Sequence, residues 1–386
     1  MQGSRLRVYW NLPGGGGVKA IIQLGELVRK MNAISSVVPA RTTMPILSTV
    51  LIGAKDADIY FSATDLDISV RSKVTGTVDE EGAIAAPARK FTEIVKSLSG
   101  KEVVLTVKDE KLTIQCGKSR FVVNGRKPED FPKLPKQEGK ATFKIDPELL
   151  SRLIQKTVYA VSTDLTRPAL CGVLWEVAKD GVSMVSTDGH RLARVEVAID
   201  LGKIEKMSVI VPPKALSTFK SYVEGEEEIS VQLGENSLSF EMKESTIYSR
   251  LLEGPFPSYQ KVIPEKNEKE LVVNREQLAD ATKRVSILSD ALTHQVVFAL
   301  DKDKLTLQVT TQELGEATEE LEAAFSDEPM SIGYNASYIQ DILRTIDTEK
   351  ISLLLDRPDN AGLIRPISEA EEKIKQVCIV MPLRIG

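Results

Sequence analysis

Two rhythms of apolar residues alternate along the chain from Val18 onward. Spacings of three and four mark amphipathic helices, as in Leu149, Leu150, Leu153, Ile154, Val158 and Val161, which share one face of a 3.6-residue period. That helix opens at Pro147 behind Asp146, a proline at the first helical position after an N-capping residue. The same reading predicts six helices, over 24–38, 88–98, 147–161, 213–223, 274–289 and 336–346. Between them lie alternating or wholly apolar runs broken by turn residues. PILSTVLIGAKDADIYFSATDLDISVRSKV and LCGVLWEVAKDGVSMVSTDGHRLARVEV are examples. They read as antiparallel hairpins.

The pattern repeats. Val18 to Gly386 is three times 123 residues, and a fixed period is a sign of duplicated units. Each third opens with a short strand and an amphipathic helix. A second helix follows, from Pro87, Pro212 and Asn335, and then a strand containing Val103, Ile229 and Ile351. Thr64-Asp65 and Thr187-Asp188 stand 123 apart, and Phe131-Pro132 and Phe256-Pro257 stand 125 apart. The fold class is therefore α+β: three tandem domains, each with two helices on antiparallel sheets, over 18–140, 141–265 and 266–386. Residues 1–17 have no periodicity and end in four glycines. They read as a flexible extension, with Val18 as the native start. No Gly-Lys-Ser/Thr follows the glycines, so they are not a phosphate loop.

Composition removes several classes. The three cysteines, Cys116, Cys171 and Cys378, are widely spaced; they read as three buried thiols in apolar strand-like runs rather than a disulfide framework or zinc knuckle. With two histidines in 386 residues, a His-based metal site is not expected, nor is any cofactor. No apolar run approaches the roughly 20 residues of a membrane span, and the N-terminus lacks a signal-peptide core. A cytoplasmic protein with no membrane partner is expected.

Charge sharpens the reading. The net charge of −5 taken alone argues against holding nucleic acid. Yet the six predicted helices hold thirteen Lys and Arg against six Asp and Glu, leaving −12 for everything else. Helix propensity explains Lys and Arg there but not the scarcity of Glu, an equally good helix former. A basic helical face in an acidic chain suggests a surface for phosphates.

The run VSTDGHRLARV at 185–195 resembles the signature of the bacterial DNA polymerase III beta subunit family, the sliding clamps, and VMPLRIG resembles that family's C-terminal motif. RTTMPILSTV, APARKF, GKSRF, EDFPKLP, FPSYQKVIP and GYNASYIQDIL match as well, so the resemblance spans essentially all of 18–386. It implies a head-to-tail homodimer closing into a six-domain ring. Duplex DNA threads the ring without sequence readout, and the ring tethers the polymerase III alpha subunit, the clamp loader and other clamp-motif proteins. It implies no enzymatic activity.

Residue by residue, the resemblance sets Arg41, Arg89 and Lys90 near DNA on the first domain and Lys214 on the second. Helix placement adds Lys96, Lys156 and Lys220, and Arg167 stands beside Pro168-Ala169 where the family's best-studied member has two tyrosines. The partner-peptide cleft maps to Leu170, Thr187, Gly189, His190, Arg191, Leu192, Pro257, Val262, Asn335, Tyr338, Val380, Met381, Pro382, Leu383 and Arg384. Met, Leu, Val and Pro suit an adaptable groove for short peptides with Leu and Phe anchors. Lys261 replaces an arginine at its rim. The dimer interface maps to Lys118 and Arg120 on the first domain, and to Ile287, Leu288 and the acidic run with Glu313 and Glu316 on the third.

A hydrolase built on Asp65, Asp188 and His190 is the competing reading. Catalysis seldom needs a duplicated site, and no nucleophile elbow accompanies these residues. Turn capping explains the aspartates better. A three-domain scaffold without DNA is a third reading, opposed by the segregated charge and the C-terminal motif.

Overall fold

A computed structural model of the chain describes residues 17–133, 139–368 and 373–385. The expected extension falls outside the described residues except for Gly17, as do Leu134, Pro135 and Gly386 of the motifs above. The chain divides into two compact units. One comprises the residues up to Pro147 with Lys214–Leu251; the other comprises Glu148–Pro213 with Leu252 onward.

Among the described residues the six α-helices are α1 Leu24–Ser35, α2 Ala88–Ser97, α3 Pro147–Gln155, α4 Pro213–Lys220, α5 Arg275–Val285 and α6 Ala336–Leu343. Each lies inside its predicted window. The windows overshoot because the last turns tighten to 3-10 form, as at Val158–Ala160 and Ser286–Leu288. Asn274 and Asn335 cap α5 and α6; each side-chain oxygen accepts two backbone N–H groups of the first turn, which otherwise lack partners.

The first unit holds a five-stranded and an eight-stranded antiparallel sheet. Strand Val18–Gln23 buries alternate residues, Val18, Ala20 and Ile22. α1 turns Leu27, Met31 and Ile34 inward, and Phe61 stacks on Phe91 of α2 at 6.0 Å between ring centres. Each such side chain contributes about 1.5–3 kcal/mol by leaving water. The second unit is one twelve-stranded sheet whose core packs Leu278, Phe298, Tyr334 and Ile339.

The strand order shows a repeat-level rule. Strand Ile68–Val74 of the first third pairs with Ser245–Arg250 of the second, with Ile68 opposite Ser249. Strand Arg191–Ala198 of the second third pairs with Ile374–Val380 of the last, with Arg191 opposite Val380. By the same rule, the donor of the last third is Gly315–Ala324 and the acceptor of the first is Ser119–Asn124. Ser119–Asn124 is an edge of its sheet. On one side Gly315–Ala324 is paired only at Ala323 and Ala324. An isolated bridge also recurs in each third: Ala85 with Arg126, Ile210 with Leu252, and Gly333 with Leu383.

Two expectations change here. Cys116 and Cys378 are buried on strands, but Cys171 is half-buried on a 3-10 turn, Pro168–Cys171. Lys156 is not on a solvated face. It is 7% exposed, and its ammonium contacts the Thr345 carbonyl at 2.5 Å, Gln376 Oε1 at 2.9 Å and Asp347 Oδ2 at 2.9 Å. That charge has no donor left for a phosphate.

Candidate functional site

Of the sequence-predicted cleft residues, Thr187, Gly189, His190, Arg191, Leu192, Tyr338, Val380 and Met381 meet at or beside the turn that joins strands Gly181–Thr187 and Arg191–Ala198. The turn is built from its own side chains. Thr187 Oγ1 donates to the Arg191 carbonyl at 2.7 Å and accepts from Gly189 N at 3.1 Å. Asp188 Oδ1 accepts from His190 N and Arg191 N, both at 2.9 Å. Gly189 takes φ +94°, a conformation glycine adopts without a Cβ penalty. Asp188 is thus the turn cap read from the sequence.

Arg191 lies behind this turn. Its Nε donates to Asp188 Oδ2 at 3.0 Å, Nη1 to Asp341 Oδ2 at 2.7 Å, and Nη2 to the Tyr159 carbonyl at 2.8 Å. The guanidinium lies 4.5 Å from the Tyr338 ring centre, within cation–π range. His190 stacks on the same tyrosine, with 6.4 Å between the ring centres. The Tyr338 hydroxyl is raised above its ordinary value, by burial first and then by the Asp188 carboxylate, against the lowering effect of Arg191.

The pairing of Arg191 with Val380 brings the C-terminus to the turn. Met381 N donates to the His190 carbonyl at 2.8 Å, and Leu383 N donates to the Gly333 carbonyl at 2.7 Å. Gln295 Nε2 holds the Arg384 carbonyl at 2.9 Å. Beneath, Leu192 joins Leu174, Val185, Ile210, Tyr259 and Ile379 in an apolar cluster, with Ala169, Leu252 and Phe256 against it. Tyr259 donates to Glu176; burial and that carboxylate push its hydroxyl up to about 12. Leu170 is buried, Pro382 and Leu383 are half-buried, and Pro257 is exposed. Val262 and Met381 are exposed large apolar residues, at 56% and 42%. The result is a rigid polar frame presenting apolar side chains, suited to a peptide with apolar anchors. Sequence reasoning missed Tyr159 and Asp341. Asp341 was legible: the N-cap Asn335 and the α6 residues Tyr338 and Asp341 fall three apart.

The basic candidates are arranged differently. Arg41, Lys96 and Lys220 are exposed, and no hydrogen bond or ion pair engages them among the described residues. Arg89 is exposed and reaches the Ala40 carbonyl at 2.9 Å. Lys90 pairs with Glu93 at 2.7 Å. Lys214 pairs with Asp65. Arg167 contacts Asp164 at 3.0 Å and the Asp188 carbonyl at 3.2 Å, so it touches the cleft turn.

Lys118 and Arg120 are exposed at the open acceptor edge, and Glu313 and Glu316 are exposed at and beside the open donor edge. Ile287 is 75% exposed, and Leu288 packs partly into the core. Arg284 fixes the end of α5 to Glu319 of the donor strand. Among the described residues no group of three or more His, Cys, Asp and Glu could hold a metal ion, and no helix is long and apolar enough to cross a membrane.

Three family models match in tandem: the N-terminal, central and C-terminal domains of the DNA polymerase III beta subunit, over residues 18–135, 144–258 and 260–384. The Beta sliding clamp of Caulobacter vibrioides is 33% identical over 376 residues, covering 95% of this chain and all of that protein. The Bacillus subtilis Beta sliding clamp is 31% identical over 383 residues, again 95% of this chain and all of that protein. The crystal structure of the Pseudomonas aeruginosa sliding clamp bound to griselimycin superposes with a TM-score of 0.90 at 30% identity, covering 96% of this chain and 100% of that one.

Proposed function

The chain belongs to the DNA polymerase III beta subunit family, and from that premise we propose how its own residues perform the family's task. It is a DNA sliding clamp: a dimeric ring that encircles duplex DNA and tethers the polymerase and other clamp-binding proteins. It is a processivity factor, not an enzyme. Replication clamps act on DNA in the bacterial cell; our reading assigns this one to the cytoplasm.

Ring closure is carried by one observation. Two of the three repeat-to-repeat strand pairings are closed inside the chain, and one donor edge and one acceptor edge remain. On our reading Gly315–Ala324 of one copy pairs with Ser119–Asn124 of another. Glu313 and Glu316 then meet Lys118 and Arg120, and Ile287 and Leu288 supply apolar contact. Open edges otherwise invite uncontrolled pairing, and opposite charge selects the partner. The three domains keep the boundaries 18–140, 141–265 and 266–386, supported by the spans of the family models.

DNA is held through Arg41, Arg89, Lys90, Lys96, Lys214 and Lys220, with Arg167 at a loop. These contacts are to phosphate and carry no sequence information. Partner peptides dock at the cleft. The decisive experiment loads the protein on circular DNA and then linearises it. The clamp slips off the linear form and stays on the circle; loss at equal rates from both refutes topological linkage.

A further inference from the structure

We propose that Arg191 is a positioning residue of the partner cleft, one that fixes Tyr338 and the His190 turn from behind and does not itself bind the partner. The inference rests on the cleft reading above. All three guanidinium nitrogens are committed, to Asp188, Asp341 and the Tyr159 carbonyl, and the side chain is 11% exposed. Its flat face is taken by two rings, with Tyr338 at 4.5 Å and Tyr159 at 5.4 Å from the guanidinium carbon to the ring centre.

The chain contains its own control. Thr64–Ile68 stands 123 residues before Thr187–Arg191 and makes the same hydrogen bonds. Thr64 Oγ1 donates to the Ile68 carbonyl and accepts from Leu66 N, and Asp65 Oδ1 accepts from Asp67 N and Ile68 N. Leu66 adopts φ +81° where Gly189 adopts +94°. In that copy Ile68 replaces Arg191, Ala215 replaces Tyr338 and Thr218 replaces Asp341. The turn therefore folds without the arginine. Arginine, aromatic ring and helix carboxylate occur together in one copy and are all absent from the other. Burying a guanidinium is unfavourable without such partners, and its planar fork holds acceptors in three directions of one plane while its face meets an aromatic ring, a geometry that lysine's compact ammonium lacks.

The test uses the full-length dimer and a fluorescein-labelled pentapeptide with Leu and Phe anchors. Arg191→Met and Asp341→Asn should each weaken binding about tenfold, and the double variant should lose little more, as expected of residues acting through one network. Arg191→Lys should not restore affinity. The chain has two histidines, so the His190 ring signals in an NMR spectrum are assignable; Asp341→Asn should move them. If Asp341→Asn binds normally and leaves those signals in place while Arg191→Met fails, Arg191 contacts the peptide directly and the inference is overturned. Wild-type affinity in both variants overturns it too. If Arg191→Met does not fold, Asp341→Asn alone decides. Deleting Met381–Gly386 separates the two levels. Retained binding refutes the cleft reading itself; abolished binding beside normal Arg191 and Asp341 variants refutes only the positioning role.

Discussion

On the proposed reading, the cleft and the basic surfaces are opposite solutions to binding. At the cleft, Thr187, Asp188 and Arg191 make seven hydrogen bonds among the turn, α6 and the Tyr159 segment. Such groups are preorganised and give up little entropy when a ligand arrives. Arg41, Lys96 and Lys220 are exposed long side chains with nothing fixing them among the described residues. A surface that must let DNA slide benefits from that looseness, because no contact is deep enough to arrest it. On that reading recognition is concentrated and rigid, and sliding is dispersed and soft.

The contrast can be broken most decisively at the C-terminus. Removing Met381–Gly386 takes away exposed apolar surface and the Leu383–Gly333 bridge. Peptide affinity should fall by about a hundredfold or more, in the range of removing hot-spot residues, while gel filtration still shows a dimer. An intact affinity would dissolve the distinction.

Lys156→Met should cost about 1–3 kcal/mol of stability in denaturant titration, because the Thr345 carbonyl and Gln376 are deprived of a buried partner. Affinity for a short duplex should not change; a drop would return Lys156 to the DNA surface. Replacing Arg41, Lys96 and Lys220 together by Gln should lower the slope of log K against log salt on a short duplex by about 0.9 for each phosphate no longer neutralised. If one of the three single Gln variants reproduces the whole change, the surface has a hot spot after all.

The smallest effect concerns acid. Burial alone would raise the Asp347 carboxyl, but the hydrogen-bonded Lys156 ammonium and the Arg152 charge override it, and its value is lowered. A carboxylate lowered by folding adds stability above its unfolded value, about 3.9, and loses it as pH falls through the folded value. Lys156→Met should therefore flatten the acid side of the stability curve below about pH 4. An unchanged acid limb would show that the pair contributes nothing.

Much of this was legible in the sequence. The 3.6-residue rhythm marked all six helices because each packs one stripe on a sheet, and the 123-residue period marked the repeats. What the pattern could not carry is pairing between repeats, since that depends on strand register over long separations. Lys156 shows a second limit. After Gln155 the winding tightens, with Thr157 N bonded to the Ile154 carbonyl, so extrapolating a helical face beyond the helix sends the side chain the wrong way. Arg191 shows a third. Its place beside the Thr187-Asp188 turn was readable, but its inward direction depends on Asp341, 150 residues away.

The leftover strand edges also make the chain a counting device. Each copy satisfies two joints internally and exports one, so subunit number is the number of joints in the circle divided by the repeats in a chain. A six-joint ring takes two chains of three repeats, and by the same division it would take three chains of two. On the proposed edge pairing, stoichiometry follows from the number of repeats in a chain rather than from any special feature of the contact. A chain shortened by one whole repeat should still find its partners and close as a trimer.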